Sequence, residues 1–186
     1  MLLALPRPAI TAAAVVIGQG QLLAAPPQLL DEHLVKAKLL ESMIGFVTWP
    51  SVAGRGNSEP FRVGFFGRTG VAREYAKLAK GAEVLHRRIE VSYIGVRDNL
   101  ESFDLVFIAE GEQHHAPEIA ARLAGKPVLT VCDGRNGAAK GAILCLFILE
   151  EKIRYDVNLS RARQAGFTIH SQVLHYAEKV HLGGAP

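Results

Sequence analysis

The chain lacks a marked excess of charge of either sign. Its 186 residues carry 21 Lys and Arg against 18 Asp and Glu, a formal net charge of +3. No stretch gathers five or six like charges, so there is no basic stripe of the kind that displaces counterions from nucleic acid. Long apolar runs are lacking too, and none reaches the ~20 residues of a membrane-crossing helix. Cysteine occurs only at Cys132 and Cys145, with no histidine cluster alongside, which excludes a structural zinc site built on thiolates. Local spacing suggests no Ser-His-Asp or Cys-His set. There are no internal repeats, which excludes a solenoid. The only biased segment is the Gly, Ser and Asn-rich stretch 51–60.

What is present begins at the N-terminus. Arg7 lies in a short, weakly basic start, residues 10–17 are apolar and uncharged, and Leu22-Leu23-Ala24-Ala25 precedes Pro26-Pro27. This order of basic, apolar and small-residue regions is that of a secretory signal peptide, with cleavage expected after Ala25. Removing residues 1–25 takes away Arg7 and no acid, so 21 and 18 charges become 20 and 18, a formal +2. Residues 26–186 then form one domain with room for a real core. In an exported protein Cys132 and Cys145 meet an oxidising compartment and become a candidate disulfide. Two separate buried thiols are the alternative.

Apolar periodicity predicts an amphipathic helix over 29–47, with Leu34, Ala37, Leu40 and Ile44 on its buried face and Lys36 and Lys38 off it. From residue 61 strands alternate with helices. Strands are expected at 61–67, 89–94, 104–109 and 127–132, and helices at 71–80 and 117–124, with Gly81 and Gly125 as helix stops. Strands apolar on both faces indicate a mostly parallel sheet covered by helices, a single three-layer α/β domain. The runs 142–149 and 153–159 are separated by only three residues, too few for a parallel crossover, so an antiparallel hairpin is expected there. Ser160 is placed to cap a short helix that Gly166 closes, and a terminal helix is expected from Ser171, carrying Val173, Ala177 and Val180.

Three places could bear chemistry. Gly64, Gly67 and Gly70 lie between a strand and a helix, where a Rossmann-like nucleotide-binding protein or enzyme holds a pyrophosphate. Their spacing is G-x-x-G-x-x-G rather than G-x-G-x-x-G, and the next strand lacks a clear terminal acid for a ribose. A turn that needs positive φ at glycine explains them equally well. His114 and His115 follow Glu110 and Glu112; adjacent positions on a helix diverge by ~100°, so the two imidazoles are not expected to face one ion, and no metal is assigned. Asp133 follows the fourth strand at the edge where α/β proteins put functional groups, within a run that also reads as a turn. Trp49, the only tryptophan, stands with Pro50 where a helix ends. It is either an interface anchor, with Phe46 extending the patch, or a cap on the core, the commoner outcome.

Taken in order, several segments resemble the YfiR-like family of exported bacterial proteins. They are Val35-Lys36-Ala37 through Phe46-Val47-Thr48-Trp49-Pro50, Pro60-Phe61-Arg62-Val63-Gly64, Arg88-Ile89-Glu90-Val91, Asp104-Leu105-Val106-Phe107-Ile108, Gly125-Lys126-Pro127-Val128, Arg154-Tyr155-Asp156-Val157-Asn158 and Gly166-Phe167-Thr168-Ile169-His170. The likeness spans residues 35–180. It departs at Ala142 and at Leu144-Cys145-Leu146, where the family shows a second glycine and then Ile-Asn-Phe. Family disulfides therefore do not transfer to Cys132 and Cys145 by spacing. The resemblance implies a periplasmic regulator without catalytic activity or cofactor. Its implied partner is the periplasmic domain of a membrane-bound diguanylate cyclase or similar sensor, with a second copy of the chain as an alternative partner.

Overall fold

The computed structural model describes residues 31–50 and 59–183. The expected signal peptide, the first residues of the first expected helix and most of the 51–60 loop lie outside them. Helix α1 (Glu32–Gly45) starts at Asp31, whose carboxylate accepts the backbone N–H of His33 at 3.0 Å, a standard N-cap. It buries Lys36, Ala37, Leu40, Met43 and Ile44. Lys36 is thus a correction to the expected polar face, and its buried partner is described below.

Strands β1 (Val47–Thr48), β2 (Phe61–Phe66), β3 (Glu83–Val84), β4 (Arg87–Ile94), β5 (Leu105–Ile108), β6 (Leu129–Asp133), β7 (Leu144–Leu149), β8 (Lys152–Asn158), β9 (Thr168–Ile169) and β10 (Lys179–His181) alternate with helices α2 (Gly70–Leu78), α3 (Ala116–Arg122), α4 (Leu159–Gln164) and α5 (Ser171–Tyr176). The main sheet runs β10-β8-β7-β6-β5-β2-β4-β3. Its centre, β4-β2-β5-β6-β7, is parallel, as the doubly apolar strands require. β7 and β8 form the expected antiparallel hairpin.

Strand alternation sorts the core into two layers. Val63, Phe65, Leu105, Phe107, Leu129 and Val131 face α1, α2 and α4. Phe66, Val106, Ile108 and Cys132 face α3. Each fully buried Leu or Phe in these layers contributes about 1.5–3 kcal/mol.

Two local expectations are corrected. The cap of α4 is Asn158, whose side-chain oxygen accepts the Arg161 N–H at 3.0 Å, rather than Ser160. α5 stops at Tyr176, and Ala177 turns extended. Val180 therefore lies in β10, which pairs parallel with β8 and returns Val180 to the same core layer. β3 and the β1–β9 pair are too short to leave a periodic signal. The β3–β4 turn places Leu85 and His86 at φ of 53° and 60° without glycine or asparagine, so it carries no turn signature.

Candidate functional site

The two ends of the parallel strands hold the residues of interest. At the amino end, α1 delivers the chain to β1, which pairs antiparallel with β9. The Trp49 indole lies edge-on to Phe61 and Phe167, with ring centroids 5.1 Å away in each case. Its Nε1 donates to the Ile44 carbonyl at 3.2 Å, satisfying an acceptor at the end of α1. Pro50 packs over Gly166, where an added Cβ would come within 3.2 Å of the proline ring. Phe46 differs: it is 41% exposed, and its ring lies 6.0 Å from that of His170 between centroids. Phe46 is thus exposed, whereas Trp49 and Pro50 are half-buried and Trp49 is anchored inward.

At the carboxyl end, Asp133 closes β6 and meets Lys36 of α1, Nζ to Oδ1 2.7 Å, with both side chains about 95% buried. Glu32 completes the group through a second ion pair with Lys36. Burial pulls the Lys36 ammonium toward neutrality, but its hydrogen bonds to Asp133 and Glu32 outweigh this and raise its pKa. Burial raises the Asp133 carboxyl against the opposing pull of Lys36. The pair ties the first helix to the centre of the sheet. A second buried pair, Arg87 with Asp104 at 2.9 and 3.0 Å, fixes the amino end of β5.

The glycine turn after β2 is filled. Gly67 has φ of 87°, and a Cβ there would collide with the side chain of Glu112; one at Gly70 would come within 2.6 Å of the His33 ring. A pyrophosphate on this turn would have to displace a carboxylate and an imidazole. The carboxylate comes from the 3-10 segment Glu110–His115, which follows β5 and brings Glu112 against Gly67. Here the expected divergence of His114 and His115 does not extend to their rings, which lie 4.1 Å apart. Divergence governs the Cα–Cβ bonds, whereas the rings project far enough to fold back together.

Cys132 and Cys145 are register partners on β6 and β7. Both are buried thiols in the layer facing α3, so Cys145 does not point away from Cys132. A Cβ added at Gly137 would come within 2.5 and 2.6 Å of the two sulfurs, which puts both under one backbone segment. The Cys145 thiol is held strongly protonated, first by its hydrogen bond with Cys132 and then by burial.

Two solved structures share the fold. One is the ABC domain in complex with L-Trp from Streptococcus pneumonia, 11% identical, with a TM-score of 0.54. The other is a conserved domain protein from Vibrio cholerae O1 biovar El Tor, 14% identical, with a TM-score of 0.53. Each alignment covers 80% of this chain and 60% of the other, so the chain spans well under two thirds of the length of either. No curated protein matches the chain. Residues 33–178 match a protein family described as DUF4154, YfiR/HmsC-like.

Proposed function

The chain belongs to the YfiR/HmsC-like family, and on that ground we propose that it binds and restrains the periplasmic sensor domain of a membrane-bound diguanylate cyclase, with no catalysis of its own. The family implies a periplasmic regulatory role. The observation that carries the reading is the family match across residues 33–178. Two further points support it. The glycine turn after β2, where a pyrophosphate would sit, has Glu112 and His33 against it. Among the described residues no helix is long and apolar enough to cross a membrane.

Restraint follows from population shift: the protein binds the sensor's inactive state more tightly than its active state, and a difference of a few kcal/mol suffices. Residues 1–25 act as a cleaved leader, leaving a mature N-terminus near Pro26. The surface of Phe46, Trp49 and Pro50 is the docking face, with Phe46 as the group free to be buried again.

The test pairs the mature chain, used as bait on a membrane extract, with cyclic-di-GMP measurement in cells. Recovery of a diguanylate cyclase, with a rise in cyclic-di-GMP when the chain is deleted, is expected. Failure to retain any cyclase, with unchanged cyclic-di-GMP, would overturn the reading.

A further inference from the structure

We propose that Glu112, His114 and His115 form a binding site for a borderline divalent transition metal, of the zinc class. One ligand atom from each lies within 4.8 Å of the others, close enough for side-chain rotation to bring all three onto one ion at the ~2.0–2.2 Å distances of zinc. Three features go beyond simple proximity. The His115 Nε2 faces the Glu112 carboxylate at 3.8 Å, while its Nδ1 faces Glu118 at 3.5 Å. An imidazole with one nitrogen toward the ligand cluster and the other toward a carboxylate has the orientation that outer carboxylates impose on metal-bound histidine. Glu112 is itself positioned, because its stem lies against Gly67, where no Cβ intervenes. The His115 ring is further steadied edge-on to the buried Phe66, at 5.3 Å between centroids.

The donor set selects the ion class. Two imidazoles and one carboxylate suit zinc, copper or nickel and disfavour calcium or magnesium, which require mostly oxygen ligands. His114 is exposed and the other two are half-buried, so a fourth position stays open to water or to a donor from a partner. All three ligands belong to the 3-10 segment, and a bound ion would brace that segment, whose Glu112 stem lies against Gly67 of the turn after β2.

The probe is Zn2+ alone, added to the untagged mature chain in competition with a chromophoric chelator. One equivalent per chain is expected, with micromolar or tighter affinity. His114→Ala, His115→Ala and Glu112→Gln should each weaken binding at least tenfold. Glu118→Gln, a positioning change, should weaken it about tenfold, and His170→Ala with His175→Ala should leave it unaltered. Binding weaker than 100 µM, or equal binding by the double variant of His114 and His115, would overturn the site. Imidazole NMR of the unmutated chain provides a readout independent of variant folding. Zinc should shift His114 and His115, and shifts confined to other histidines would also overturn it.

Discussion

Lys36 and Asp133, 97 positions apart, are each almost fully removed from water. A buried pair of this kind adds little net stability over an apolar one, but leaving one member alone is costly. Lys36→Met should therefore lower the unfolding free energy by about 3–5 kcal/mol, measured by urea denaturation. Adding Asp133→Leu should recover most of that loss. The pH dependence follows from the same geometry. Burial already raises the Asp133 carboxyl, and removing Lys36 raises it further. A folded-state acid with a raised pKa binds more protons than the unfolded chain, so stability falls as pH rises. Relative to the native chain, Lys36→Met should thus be least stable near neutrality and should regain stability as pH falls toward the ordinary carboxylate range. At the other end of the strands, Trp49 and Phe46 should separate. Trp49→Ala removes two edge-on ring contacts and a cap, and should cost at least ~2 kcal/mol of folding stability. Phe46→Asp should leave the melting temperature within a few degrees yet release cyclase activity, read as cyclic-di-GMP. Unaltered signalling in Phe46→Asp would move the docking face elsewhere.

Among the elements, the hairpins show what was legible and what was not. The β7–β8 connection could be inferred because three residues cannot carry a parallel crossover. The β3–β4 hairpin could not, because Leu85 and His86 adopt left-handed φ without the residues that usually signal it. Replacing them with Asn and Gly should stabilise the domain by about 1 kcal/mol, measured by chemical denaturation. The central strands were legible for the opposite reason. Phe61–Phe66, Leu105–Ile108 and Leu129–Asp133 are buried on both faces, and burial leaves a continuous apolar run. β10 was hidden because Val173, Ala177 and Val180 also fit a helical spacing. Only pairing with β8 distinguishes the two, and pairing is a tertiary property. Lys36 was misplaced for a related reason: a charge reads as solvated until its distant partner is known. The convergence of His114 and His115 depends on side-chain rotation, which no positional rule captures.

At the scale of the whole molecule, a bridge between Cys132 and Cys145 would join two neighbouring strands at the centre of the sheet. Neighbouring strands place register partners about 5 Å apart, within the Cα range of a disulfide. Cys132 and Cys145 occupy such positions. We expect the protein recovered from the periplasm to show no free thiol when denatured without reductant. Such a bridge would close a short loop and contribute ~3 kcal/mol in the chain-entropy model. Two thiols per chain in that count would exclude the bridge. The residues from Gly134 to Ile143 connect the two cysteine strands, and Asn158 holds this connection by donating to the Ala138 carbonyl at 2.9 Å.

That connection also determines when the sulfurs can react. Gly137 rests directly on both of them, leaving no path for glutathione, an oxidoreductase or an alkylating reagent while the segment is seated. Exchange must wait for the segment to lift, so its rate falls with the fraction of time the segment spends seated. A bridge formed before this segment closes would thereby be shielded from later exchange.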